Sequence, residues 1–329
     1  MFRSTLMRWL LAPLACLVLL SGAAAAQTAT ELTLQLRFIF NAQFAGSYLA
    51  AENGHYADEG LAVTIKPGGA GVAPDPVVAQ GSADIGISTA TSIASSVSQG
   101  APLKVVAAAY QRSGSVIMSL PEKPISKVED LRGKKLGAVA ANLGAMSAFL
   151  RASGLGDGEV ELVSIQGDAA PLLAGSVDAI LTTVSSQPTV LRGRGIEPVL
   201  LRMSENRFDE LDMLYFVTDA TLADPAKRDA IVRFLKAERA GWADALANPQ
   251  AGAEAAVNIY GKELDLKLPQ QIAQVEAAAE LFQSGDPDQN GLLWLSEAGI
   301  RKTIDTLAKR GVKAEPSLFD TSLIEEAAK

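Results

Sequence analysis

Leu32-Thr33-Leu34-Gln35-Leu36-Arg37-Phe38 alternates apolar and polar side chains with period two, the pattern of a half-buried strand. A small, polar turn over residues 41–46 follows, then helical spacing across 45–53 that stops at Gly54. Leu61-Ala62-Val63-Thr64-Ile65 reads as a second strand closed by Pro67-Gly68-Gly69, and a short helix is expected over 75–80. Ala83-Asp84-Ile85-Gly86-Ile87 and Val105-Val106-Ala107-Ala108-Ala109-Tyr110 read as a third and fourth strand, with a helix over 91–98 between them. Strands alternating with short helices predict βαβ units: a mostly parallel sheet covered by helices on both faces.

The alternation then restarts. Strands are expected over 135–139, 160–165 and 179–183, with a helix starting after Ala141-Asn142-Leu143-Gly144 and a short one over 171–174. Leu214-Tyr215-Phe216-Val217 reads as a further strand. Helical periods fill the last third, over 225–248, 250–260, 269–283 and 296–310. No loose linker separates the two α/β units, so the chain is expected to form two doubly wound lobes joined by crossings near 113–119 and 214–218. A helical C-terminal region completes the α/β fold. Between such lobes lies a cleft suited to a small molecule, and closure about short hinges would trap it.

The start of the chain sets the compartment. Arg3 and Arg8 precede an apolar run over 9–20 that only Pro13 interrupts, and Ser21-Gly22-Ala23-Ala24-Ala25-Ala26 offers small residues to a signal peptidase. This is the layout of a secretory signal peptide cleaved after Ala26. The apolar run is too short for a spanning helix of about 20 residues. Cys16 is the only cysteine, and Pro13-Leu14-Ala15 before it makes a poor lipidation site. Cleavage leaves a chain without disulfides, thiolate metal sites or a cysteine nucleophile. The formal charge is −8, and loss of Arg3 and Arg8 takes it to −10. No basic stripe interrupts that acidity, which argues against nucleic acid as a partner. The expected organisation is a signal peptide over 1–26, a first lobe over 27–115, a second over 116–214, and a return to the first with C-terminal helices over 215–329.

Catalytic chemistry finds little to work with. His55 is the only histidine and sits beside Gly54 in an apparent loop. There is no nucleophile elbow and no phosphate loop. Asp286-Pro287-Asp288-Gln289-Asn290-Gly291 followed by Glu297 has the spacing of a calcium loop, but its ninth position is Trp294. An ordinary helix–helix turn explains the same residues, and neither a metal nor a cofactor is assigned.

In open α/β sheets, ligands bind beyond the carboxyl ends of the strands. That rule selects Phe38, Asn41, Gln43 and Phe44 after the first strand, Gly69 after the second, Thr89 after the third and Tyr110 after the fourth. From the second unit it selects Asn142, Thr183 and Ser185. Phe38 or Tyr110 could sandwich a flat ring while amides read its edge.

Several stretches resemble a known family. Phe44-Ala45-Gly46-Ser47-Tyr48-Leu49-Ala50 and Gly54-His55-Tyr56-Ala57-Asp58-Glu59-Gly60-Leu61 open the pattern. Gly81-Ser82-Ala83-Asp84-Ile85-Gly86, Gln99-Gly100-Ala101-Pro102-Leu103, Asp130-Leu131-Arg132-Gly133-Lys134 and Gly175-Ser176-Val177-Asp178-Ala179 continue it. Their order is similar to that of the nitrate/sulfonate/taurine and thiamine-pyrimidine-precursor binding proteins. The resemblance implies a type II periplasmic binding-protein fold and a monomeric, non-enzymatic receptor. Such a receptor would be exported to the periplasm and hand a small solute to an ABC permease and its ATPase. Where the pyrimidine-binding branch has Trp and Tyr-Asn-Glu, this chain has Phe38 and Ser185-Ser186-Gln187. A neutral or anionic aromatic, or an organic sulfonate, is therefore as well suited as a cationic aminopyrimidine. Relatives that make the thiamine pyrimidine suggest an enzyme as the alternative, but that route uses cysteine and histidine motifs. Signalling of ligand status to a membrane sensor would use the same closure.

Overall fold

Six residues from Thr30 to Gln35 form β1, which pairs in parallel register with β2 (Leu61–Lys66) and with β3 (Ile85–Ser88). The computed structural model describes residues 29–69, 72–206, 208–283 and 289–329. The signal-peptide reading, Cys16, and Asp286 and Asp288 of the calcium-loop reading lie outside them. The first sheet is completed by β4 (Leu103–Tyr110) and by β10 (Asp212–Thr218), which runs antiparallel between β3 and β4. Its order is β2-β1-β3-β10-β4.

A second sheet repeats the plan as β7-β6-β8-β5-β9. It comprises β5 (Ser115–Ser119), β6 (Lys135–Ala138), β7 (Glu161–Ser164), β8 (Ala179–Thr183) and β9 (Val199–Arg202). Here β5 is the antiparallel strand, between β8 and β9. Each sheet is thus mixed, four strands one way and one the other. The expected crossings also move: 115–119 and 212–218 are interior strands, and the chain passes between sheets at 111–114 and 203–211. The reason lies in burial. Val116 to Ser119 and Met213 to Val217 are buried without a break, as a strand flanked on both sides must be.

One hydrophobic core joins the first sheet to the helices around it and includes Leu34, Ile85, Val105, Phe216, Phe234 and Trp242. The second sheet splits its core between its two faces. Ile117 packs with Leu136, Phe149 and Phe208, while its neighbour Met118 packs with Leu172, Ile180 and Leu191. Successive side chains of a strand point to opposite faces, which is why adjacent residues belong to different clusters.

The C-terminal helices return to the first sheet. Helix Pro225–Ala247 starts at Asp224, whose carboxylate accepts from the amides of Ala226 (2.9 Å) and Lys227 (3.2 Å). It lies against helix Ala45–Glu52 so closely that a Cβ on Gly241 would stand 2.2 Å from the Gly46 carbonyl oxygen. Beneath it, Glu238 is fully buried and accepts hydrogen bonds from Ser47 (3.0 Å), Tyr215 (2.7 Å) and Tyr56. The Trp242 indole donates to the Tyr215 oxygen at 2.9 Å. Burial pushes the Glu238 carboxyl pKa up, which the three donors partly oppose. No described helix is long and apolar enough to cross a membrane.

Candidate functional site

Strand register shows which edges of the two sheets face each other. The end of β4 leads across 111–114 into the start of β5, whose Ser115 pairs with Thr183 at the end of β8. The end of β9 leads across 203–211 into Asp212, which pairs with Tyr110 at the end of β4. Both crossings therefore join carboxyl edge to carboxyl edge. The loops that follow the parallel strands of each sheet lie at these joined edges, where such sheets bind ligands.

The first edge carries an open cavity of about 480 Å³. Its wall includes Arg37 after β1, Gly69 and Val72 after β2, and Ser88, Thr89 and Ser92 around the end of β3. Loops 37–39 and 67–69 press together to form it. The Gly68 amide donates to the Phe38 carbonyl at 2.9 Å, and a Cβ on Gly68 would lie 2.3 Å from the Leu36 oxygen, so only glycine fits. Gly69 has φ +130°, a backbone state that glycine alone adopts without strain. Val72 lines the cavity and is 41% exposed, and Ile39, 39% exposed, lies against Gly69, where a Cβ would meet its Cγ2 at 3.1 Å. These two make an apolar lip, and Phe38, 49% exposed, stands next in the chain on the same loop.

Polar groups form the base. Asp75 is buried and its Oδ2 accepts from the hydroxyls of Ser88 (3.0 Å) and Ser92 (2.9 Å), while its Oδ1 has no hydrogen-bond partner. Burial pushes the Asp75 carboxyl pKa up against those two hydrogen bonds. Arg37 forms an ion pair with Asp212 at 2.7 Å. Burial lowers the Arg37 pKa, but the carboxylate of Asp212 outweighs it and the guanidinium stays charged.

Of the expected residues, Gly69 and Thr89 line this cavity, and Phe38 is exposed on the loop that follows Arg37. Thr89 also caps helix Ala90–Ser98, its oxygen accepting from the Ser92 amide at 3.2 Å. Asn41 and Gln43 lie half-buried next along the chain, with Asn41 Oδ1 held by the Gln43 amide at 2.8 Å. Phe44 and Tyr110 are placed elsewhere. Phe44 has no exposed surface and packs in the core, facing inward at the base of helix Ala45–Glu52. Tyr110 is 2% exposed, edge-on to Phe282 at 5.3 Å, so neither ring offers a face to a solute. Its hydroxyl is buried without a partner, and burial pushes its pKa up. On the opposite edge Asn142 is exposed at the start of helix Leu143–Ala152, Thr183 is half-buried and Ser185 is buried. Gln187 Oε1 accepts from the Ala169 amide at 3.1 Å and ties the loop after β8 to the loop after β7.

Sequence reasoning missed Arg37, Ile39, Val72, Asp75, Ser92 and Asp212. Arg37 holds a polar position in the β1 alternation, and Asp75 opens a helix, so both have ordinary local explanations.

Helix Glu297–Lys309 and the residue beyond it hold the crossings. Lys302 pairs with Asp209 (2.7 Å) and donates to the Gln111 carbonyl (3.1 Å), thus touching both. Thr303 Oγ1 accepts from the Leu211 amide at 2.9 Å, and Arg310 pairs with Glu210 at 2.7 Å. A second cavity of about 540 Å³ lies to one side, between helices Gln187–Arg192 and Leu268–Ala278. None of the strand-end residues of the first sheet reaches it, so its larger volume does not outweigh the convergence of strand ends at the first.

A family model described as NMT1/THI5 like matches residues 41–252. The riboflavin-binding protein RibY of Chloroflexus aurantiacus is 27% identical over 256 residues, covering 75% of this chain and 72% of that protein. Among solved structures, the periplasmic aliphatic sulphonate binding protein SsuA of Escherichia coli superposes with a TM-score of 0.62 at 16% identity, over 88% of this chain and 90% of that one. The desulfurization enzyme DSZB superposes with a TM-score of 0.60 at 15% identity, over 91% and 98%. These structures share the periplasmic binding-protein fold that the resemblance implies, and that fold carries both binding proteins and an enzyme.

Proposed function

From the premise that this chain belongs to the NMT1/THI5-like family, we propose that it is the exported, periplasmic solute-binding component of an ABC importer. It captures a small heteroaromatic solute between its lobes and delivers it to the permease and ATPase as a closed monomer. The observation that carries this reading is the apolar lip of Ile39 and Val72, with an exposed Phe38 on the same loop, beside a polar-based cavity at the carboxyl edge of the first sheet. A flat ring would lie on that lip with its polar edge toward Thr89 and the cavity base. Asn41 and Gln43 stand next to it. Asn142, Thr183 and Ser185 would close on it from the second edge. Closure requires that the solute touch both lobes, because a ligand shifts an equilibrium only by its differential affinity for the two states. The name of the relative RibY supports a flavin as the first solute to try.

Thermal melting against a panel of flavins, pyrimidines, aromatic acids and sulfonates tests the reading. A ligand at a hundredfold excess over its Kd adds about 2.7 kcal/mol of stability, a shift of several degrees. No shift with any compound at millimolar concentration would remove a free small-molecule receptor. Delivery is tested separately, by stimulation of a reconstituted permease's ATPase with the ligand-loaded protein.

A further inference from the structure

We infer that the Arg37–Asp212 pair is the charge selector of the first-sheet cavity, cancelling its one cation so that the site takes an uncharged, donor-bearing group and turns anions away. The inference rests on the reading that this cavity holds the solute, and it specifies the chemistry of that solute.

Among the described residues that line the cavity, Arg37 is the only charged one. Alone, a guanidinium in such a wall would present up to five N–H donors to a sulfonate or carboxylate. Here its Nη1 is 2.7 Å from Asp212 Oδ1, and both side chains are largely covered, 15% and 20% exposed. Two opposite charges at contact distance leave little field for a third, and an entering anion would compete with Asp212 for the same donors. Asp75 adds a second carboxyl group directly under the wall, so with the Arg37–Asp212 ion pair intact the three groups carry no net positive charge. Arg310, which grips the crossing, is engaged by Glu210 and contributes no free cation either.

Hydroxyl direction points the same way. Ser88 and Ser92 each donate their one hydroxyl proton to Asp75 Oδ2. What these two show a solute is lone pairs, which call for an N–H or O–H, while the Thr89 hydroxyl, whose oxygen accepts from the Ser92 amide, keeps its proton to donate. A sulfonate has acceptors only and would meet oxygen with oxygen at both serines. An amide, ureide or polyol edge supplies the missing donors.

The test uses Asp212→Asn, which frees the guanidinium at constant size, with two kinds of probe. Riboflavin and its 5′-phosphate share a ring and differ in charge, and inorganic sulfate carries charge without a ring. The wild-type protein should prefer riboflavin to the phosphate by roughly tenfold or more, and sulfate should give it no saturable thermal stabilisation. In D212N the preference should narrow by roughly tenfold and sulfate should stabilise saturably. Equal affinity for the two flavins in wild type, or no sulfate response in D212N, overturns the selector. Should D212N not melt cooperatively, the shorter D212S carries the sulfate readout. A D212N that gains sulfate binding while neither flavin binds supports the selector and removes the flavin reading instead.

Discussion

The two sheets share one strand order, yet their facing edges are built differently. The first edge stands on a single continuous core and carries fixed polar pairs: Arg37 with Asp212, Asp75 with two serines. The second stands on two smaller clusters, one on each face. Its strand-end residues are an exposed Asn142, a half-buried Thr183 and a buried Ser185. In the proposed receptor, identical topology thus supplies a platform and a moving jaw, because preorganisation comes from packing and pairing rather than from strand order. Helix Glu297–Lys309 sets the relation between the two by gripping both crossings.

Removing the support of the platform should have the largest effect. Glu238→Ala would leave the hydroxyls of Ser47, Tyr56 and Tyr215 without their shared acceptor inside the core. A loss of about 3–5 kcal/mol is expected from urea unfolding. A loss under about 1 kcal/mol would show that the first sheet is not the stiffer half.

A smaller effect should appear with pH at the crossing. Burial, which outweighs the attraction of Arg310, raises the Glu210 pKa from 4.5 to about 6. The folded state therefore holds this proton more tightly than the unfolded chain does. The resulting stability is fully present below pH 4.5 and is lost as pH rises through about 6. It amounts to about 2 kcal/mol at 1.36 kcal/mol per pKa unit. Glu210→Gln should flatten that fall, so the stability difference between variant and wild type should change across the window. Parallel melts at both ends that keep a constant difference would count against it.

Least costly to the fold, and most informative about the comparison, is Lys302→Ala. It cuts the bond to Asp209 and the one to the Gln111 carbonyl, at about 1–3 kcal/mol. The distance distribution between spin labels on the two lobes should broaden without ligand. An unchanged distribution would mean that the jaw is held by something other than this helix.

Local pattern went far toward the fold. The period-two alternation of β1 and the apolar run of β8 appear where periodicity predicts them. β9 escaped notice, its Val199-Leu200-Leu201-Arg202 showing no period-two alternation. The antiparallel placement of β5 and β10 was equally hidden, since apolar runs announce burial but not direction. Site residues divided along the same line. Gly69 and Thr89 follow strands and line the cavity, while Phe38 is exposed on the loop beside it. Phe44 and Tyr110 follow the same rule, but their rings turn into the core, a choice made by neighbours such as Phe282 that are distant in sequence.

Sequence alone determined the repeated α/β order, the acidic and thiol-poor character after Ala26, and the family. The first two rest on composition and short-range periodicity, and the third on short motifs in a fixed order, all of them local properties. Only the tertiary structure decided the charge of the cavity. Arg37 and Asp212 are 175 positions apart, and nothing near either one announces the other. Whether a cation attracts an anionic solute depends on what stands within a few ångströms of it, and that distance is set by the fold.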